Sequence, residues 1–140
     1  GNKPIDIFPM QAVRMGEIAS EYSHRLFKED KYSDYLIYHG LTVQLAEALA
    51  EYVHSIIRIE CGFKETEPES TKEILAQKYT GCRYSFGYPA CPKVSDSKTQ
   101  LELLDASRIN LTIDSSEQLH PEQSTTAIIS MHSKAKYFST

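Results

Sequence analysis

One segment concentrates the residue types that could hold a charged small molecule. It reads Cys82-Arg83-Tyr84-Ser85-Phe86-Gly87-Tyr88-Pro89-Ala90-Cys91-Pro92. A guanidinium such as that of Arg83 can grip a carboxylate through two parallel hydrogen bonds, provided the backbone holds it still. Pro89 and Pro92 stiffen the chain on one side. Gly87 lets the backbone approach a ligand closely. Tyr84, Phe86 and Tyr88 offer flat faces to a heteroaromatic ring or a cation. A plainer arrangement uses the same residues, with Arg83 paired to a surface acid and the aromatics in the core. Composition leaves both open.

Other chemistry finds less support. Cys91 lies in the same loop, but Pro89, Ala90 and Pro92 supply neither a base nor a helix start to lower its pKa. A packed thiol is the better reading; a thiol enzyme is the competing one. The histidines at 24, 39, 54, 120 and 132 are scattered and form no H-E-x-x-H. His54 and Cys61 sit two turns apart on one helix, too far to share a metal, so no metal site is expected. Phosphate-loop, G-x-G-x-x-G and G-x-S-x-G patterns are missing from the sequence.

These residues need elements to place them. Residues 1–12, with Pro4 and Pro9, read as an extended entry. From about Arg14, Met15, Ile18, Tyr22 and Leu26 recur at helical steps. Lys28 to Lys31 breaks that pattern, and Asp30 or Ser33 could cap the next helix. That helix, over roughly 32–60, is the strongest element. Leu45, Leu49, Tyr52 or Val53, and Ile56 form its apolar stripe, with Gly40 as its weak point and Gly62 at its end. On that pattern Glu47, Glu51, His54 and Arg58 face away from the core. A short helix is expected over Thr71–Tyr79, ended by Gly81, and another from Ser95 or Ser97 with Leu101 and Leu104 inward. The last third reads as strands: Asn110–Ile113, Thr125–Met131 and Ala135–Phe138, the last two joined at His132-Ser133-Lys134 as a hairpin. Helices first and strands later imply an α+β domain.

The 140 residues fit a single domain. Fifteen basic against nineteen acidic groups leave a net charge of −4, which speaks against nucleic acid as a partner. No run of about 20 apolar residues is present to span a membrane, and the amino end lacks the apolar centre of a signal peptide. Three cysteines without a C-x-x-C pair point to a reducing compartment, hence a cytoplasmic protein.

The string Arg83-Tyr84-Ser85-Phe86-Gly87-Tyr88-Pro89-Ala90-Cys91-Pro92 also resembles the R-x-x-x-G-Y-P-A-C-P signature of the activation domain of cobalamin-dependent methionine synthase. Leu45 to His54 resembles that family's A-E-A-x-A-E-Y-x-H helix. Pro121 to Ser124 and His132 to Phe138 resemble its carboxy-terminal motifs. The likeness runs from about Phe8 to the end of the chain.

The resemblance implies a twisted antiparallel sheet bordered by helices, with one long central helix. It implies binding of S-adenosylmethionine in support of reductive methylation of cob(II)alamin to methylcobalamin. The electron would come from a flavodoxin-type reductase, and the cobalamin from a separate domain of the same enzyme, since no D-x-H-x-x-G box is present here. Arg83 then matches the arginine that meets the ligand carboxylate. Tyr88 matches the loop tyrosine, Glu47 the helix glutamate and Tyr137 a tyrosine near the ligand; Gly87 and Tyr84 belong to the same loop. No catalytic acid or base is expected. Departures are Ala127 where the family has Gly and Ser133 where it often has Pro. Against the family, residues 1–140 read as one domain without its amino-terminal part, which carries a ligand-binding aspartate, and without its last helix. A docking or cap module that no longer binds ligand is the alternative.

Overall fold

The computed structural model describes residues 6–136. Its elements are, in chain order, β1 (Met10–Arg14), α1 (Glu17–Lys28), α2 (Tyr32–Glu60), α3 (Thr71–Leu75), β2 (Cys82–Tyr84), α4 (Asp96–Leu103), β3 (Thr112–Ile113), β4 (Leu119–His120) and β5 (Ser124–Ser130). Short 3-10 turns lie at Lys64–Thr66 and Ala106–Ile109. The architecture is α+β. A three-stranded antiparallel sheet, order β1-β5-β2, forms the middle layer, and β3 and β4 make a separate two-stranded ribbon.

The long helix runs unbroken through Gly40 and stops where expected. Gly62 takes a φ of 90°. The Gly62 N–H donates to Ile59 and the Phe63 N–H to Arg58, the paired closure that a left-handed residue permits. In α3, Ser70 accepts from the Glu73 N–H while the Glu73 carboxylate accepts from the Ser70 hydroxyl and the Glu69 N–H, a capping box. That helix ends at Leu75, sooner than Tyr79, because Gln77 adopts a φ of 49°.

The buried face of α2 differs from the one its apolar pattern suggests. Thr42, Ala46, Ala50, His54 and Arg58 are buried, whereas Leu45, Tyr52 and Ile56 are exposed, Tyr52 by 64%. Small residues at 42, 46 and 50 let the helix lie close to the sheet, and larger apolar residues would hold it off. The same reversal affects α1: Ala19, Ser23 and Leu26 are buried while Ile18 is 82% exposed. Arg14 belongs to β1, so α1 begins three residues later than its periodicity indicates. The Asp30 and Ser33 caps are not used; the turn is made by Asp30 at a φ of 55°, and Lys31 occupies the cap position.

Cross-strand partners share a sheet face. The register Gln11↔Ala127 and Arg83↔Ile129 therefore puts these four on the face covered by α2, where the Gln11 side-chain amide donates to Ala50 O at 3.1 Å. Ala12 faces the other way and packs on a cluster of Leu101 from α4 with Ala106 and Leu111. At the carboxy-terminal end, residues 132–135 form a turn closed from the Ala135 N–H to His132 O. Ala135 and Lys136 are not strand, so the expected hairpin does not form among the described residues; its remainder, with Tyr137, lies outside them.

Candidate functional site

β2 pairs only with Ile128–Ser130 of β5, whereas β1 pairs with Ser124–Ile128. Past Tyr84 the chain peels away, so Thr125 and Thr126 line a notch beside the sheet edge. The departing segment is fixed locally. The Ser85 hydroxyl donates to Thr126 O at 2.8 Å. The Gly87 N–H donates to Cys91 O, and the Cys91 N–H to Tyr88 O, each at 2.8 Å. Gly87 has a φ of 91°, and a Cβ there would sit 3.1 Å from Val94 Cγ2, so this turn requires glycine twice over.

The notch is the mouth of a cavity of about 440 Å³, lined in part by Glu47, Gln77, Tyr79, Arg83, Phe86 and Tyr88. That volume falls within the roughly 300–1,000 Å³ of small-molecule sites. A hollow of about 470 Å³ near His24, Tyr35 and Gln123 is slightly larger but carries no guanidinium. Arg83, Glu47 and Tyr88 thus line one cavity, the grouping that the resemblance implies and the helix periodicity alone does not. Tyr84 does not join them: it alternates to the opposite side of the strand from Arg83, and its hydroxyl donates to Lys136 O at 3.0 Å. Gly87 shapes the turn and does not line the cavity.

Behind the cavity stands a chain of charge that periodicity assigned to solvent. Arg58, 1% exposed in its side chain, donates through Nε and Nη2 to the two oxygens of Glu67, the latter at 2.9 Å, and through Nη1 to Glu51 at 3.2 Å. Its guanidinium lies 3.7 Å over the Tyr79 ring. The Tyr79 hydroxyl donates to Glu51 Oε2 at 3.0 Å, and Arg83 Nη2 donates to that same oxygen at 3.4 Å. Glu47, one helical turn before Glu51, stands 3.8 Å from Arg83 Nη1. The order is Glu67, Arg58, Glu51, Arg83, Glu47, from the buried end to the mouth.

The titrations reflect this setting. Burial pushes the Glu67 carboxyl up, but the hydrogen bond and charge of Arg58 outweigh that and hold it below the ordinary range. Burial opposes the charge on Arg58, and the two carboxylates overcome it. Burial, then the Glu51 charge and hydrogen bond, push the Tyr79 hydroxyl up, so it stays a donor. Burial, with Arg58 and Arg83 adding, brings His54 down to about 3. With His54 neutral, three carboxylates face two guanidiniums, one negative charge in excess. The exposed member is Glu47, at 50%, against 22% for Arg83 and Glu51.

Chemically, the mouth can hold a zwitterion. Arg83 retains guanidinium N–H groups beyond its one bond to Glu51, and Glu47, 3.8 Å from Arg83, lines the same space with a carboxyl group that makes no hydrogen bond among the described residues. Cys91 is half-buried and bridged by its backbone to Tyr88, as a packed loop residue would be. Among the described residues no three His, Cys, Asp or Glu side chains cluster in a way that could hold a metal ion. Nor is any described helix long and apolar enough to cross a membrane. The residues that sequence reasoning missed are Glu51, Arg58, Glu67, Tyr79 and Gln77. The available signal was the spacing of Glu47, Glu51, His54 and Arg58, which puts titratable groups along one side of one helix.

The chain as a whole is similar to known proteins. The family described as "Vitamin B12 dependent methionine synthase, activation domain" matches residues 2–140. The methionine synthase of Mycobacterium tuberculosis is 42% identical over 140 residues, covering 96% of this chain. That of Mycobacterium leprae is 44% identical with the same coverage. The chain spans 12% of the length of either relative. A crystal structure of the MetH reactivation domain bound to AdoHcy superposes with a TM-score of 0.87 at 27% identity, covering 94% of this chain and 41% of that one.

Proposed function

Because the chain belongs to the activation-domain family of vitamin B12-dependent methionine synthase, we propose that its cavity binds S-adenosylmethionine. Binding there would serve the reductive methylation of cob(II)alamin to methylcobalamin in a larger enzyme of methionine biosynthesis. The observation that carries this reading is Arg83 and Glu47 meeting at the mouth of a 440 Å³ cavity whose lining also includes Phe86 and Tyr88. The AdoHcy held by the similar solved structure shares the amino-acid end and the adenosine of that ligand.

The residues fit the ligand group by group. Arg83 receives the carboxylate with two N–H donors. Glu47 leaves its loose contact with Arg83 and accepts from the ammonium. Tyr88 and Phe86 offer ring faces to the sulfonium or the adenine. The excess negative charge of the site matches the net positive charge of S-adenosylmethionine. When bound, that ligand supplies an electrophilic methyl group on a cationic sulfur. The residues of this chain orient it, and no protein acid or base is called for. Tyr137, the remaining site expectation, lies outside the described residues.

The corrin would be held by a separate cobalamin-binding domain, because no D-x-H-x-x-G box is present in this sequence. A flavodoxin-type reductase is the proposed electron donor and the cytoplasm the proposed location. Calorimetric titration of S-adenosylmethionine into wild type and Arg83→Ala tests the site. Charge-assisted hydrogen bonds contribute about 1.5–3 kcal/mol, so the variant should bind on the order of ten to a hundred times more weakly. Equal affinities would remove Arg83 from the site. Absence of binding to wild type would favour the docking module that has lost its ligand.

A further inference from the structure

We infer that Glu51, which does not line the cavity, is the positioning residue that aims Arg83 at the amino-acid end of the ligand. The inference rests on the ligand class proposed above. Its physical basis is separate: a long arginine side chain loses rotamer freedom when it is ordered, so a grip set in advance binds more tightly than one ordered on arrival.

Glu51 can do this because it is itself fixed. Its Oε1 accepts from Arg58, its Oε2 accepts from Tyr79 and from Arg83, and Arg58 is held in turn by the fork on Glu67 and the face of Tyr79. The members sit on several supports. Glu51 and Arg58 belong to α2, Arg83 to β2, and Tyr79 and Glu67 to the connections between them.

A carboxylate beside Arg83 could instead compete with the ligand carboxylate. Arg58 decides against that. It holds Glu51 Oε1 at 3.2 Å while the Tyr79 hydroxyl holds Oε2, so Glu51 stays behind Arg83, outside the cavity lining, and the direction of its hydrogen bond to Arg83 is kept. Glu47 has no such partner and is half-exposed, which suits a group that changes partners on binding. The two glutamates, one turn apart, therefore divide the work: Glu51 holds Arg83 in place, and Glu47 exchanges it for the ligand.

The test compares AdoHcy with 5′-methylthioadenosine, which keeps the adenosine and thioether but lacks the amino-acid end. Both affinities are measured calorimetrically, the weaker by competition, in wild type, Glu51→Gln and Glu51→Asp, with melting curves alongside. Glu51→Asp preserves the charge balance and draws the carboxylate back from Arg83, so it serves if Glu51→Gln fails to fold. The expected result is a loss of at least about fivefold for AdoHcy in both variants, with 5′-methylthioadenosine changed less than about twofold. Parallel losses for both ligands, unchanged AdoHcy affinity, or tighter AdoHcy binding in Glu51→Gln would overturn the assignment. If wild type binds neither compound, it is the ligand class that fails, and the position of Arg83 is then read from the Arg83–Glu51 coupling in a double-mutant cycle of stability. Additive effects of the two substitutions, with no coupling beyond the usual scatter, would overturn the positioning role as well.

Discussion

His54 shows what the charge chain costs at the level of one side chain. It is fully buried, its ring meets Tyr79 edge-on with centroids 5.4 Å apart, and neither ring nitrogen has a hydrogen-bond partner among the described residues. Burial and the two guanidiniums keep it neutral down to about 3. In the unfolded chain it takes up a proton below about 6.5. The unfolded state therefore binds more protons between these values, and stability falls as pH falls through 6.5, by up to about 1.4 kcal/mol per pH unit. Above pH 6.5 the effect is absent. Carboxylates with lowered values, such as Glu67, lose most of their contribution below about 4.5, and the other four histidines are common to a variant at 54, so the difference between the two proteins from 6.5 to 4.5 reports His54. His54→Phe, which keeps an aromatic ring against Tyr79, should flatten that interval in urea-unfolding midpoints taken at pH 7, 6 and 5. Parallel slopes in the two proteins would contradict it. The residue scale is also where sequence reading split. Arg83 and Glu47 were legible from the loop signature and the helix motif. Glu51 and Arg58 were not, because a charged residue off an apolar stripe ordinarily faces water, and here the counter-charges arrive from the loop after the helix, at 67, and from a strand 32 positions on, at 83.

At the scale of elements, α2 was legible in its length and end but not in its orientation. Its 29 residues contain good helix formers, and Gly62 supplies the left-handed closure. Its orientation is decided by size: Thr42, Ala46 and Ala50 lie against the sheet, so the most apolar side of the helix is not the buried one. A pattern of hydrophobicity carries no information about how closely two backbones must approach. Short β4 and the early end of α3 were illegible for a similar reason, since two-residue pairing and a φ of 49° at Gln77 depend on tertiary contacts. Gly40 lies in the exposed interior of α2, and a Cβ there would meet nothing within 4 Å. Its cost is thus the intrinsic one. Gly40→Ala should raise stability by about 1 kcal/mol without moving ligand affinity. A lower melting temperature for the variant would mean that the bare backbone at 40 serves a contact the helix geometry does not reveal.

Across the whole molecule, two buried amides join the layers that the sheet separates. Gln11, 3% exposed, reaches from β1 to Ala50 O on α2. Gln100, 2% exposed, reaches from α4 to Ala127 O at 2.7 Å and to Gln11 O at 3.3 Å. The sequence shows both only as polar residues in apolar surroundings. Their roles depend on carbonyls 39, 27 and 89 positions away. The hydrophobic cluster on the α4 side is small, centred on Leu101, Ala106 and Leu111, so these bonds carry a larger share of the contact between layers. Each link lost removes one hydrogen bond from a carbonyl that keeps its helix or ladder partner, at about 0.5–1.5 kcal/mol. Gln100→Ala should therefore lower stability by an amount in that range or somewhat above it, the truncated side chain adding to the loss. The site makes the prediction sharper. Ser97, on the same helix, lines the cavity together with Val94 just before it, whereas the Glu51–Arg83 pair rests on α2 and β2. If the layers unfold together, Gln100→Ala shifts one cooperative transition, and fluorescence and circular dichroism report the same midpoint. If instead α4 and its neighbours detach first, the two probes separate, and the three layers cannot be treated as one folding unit.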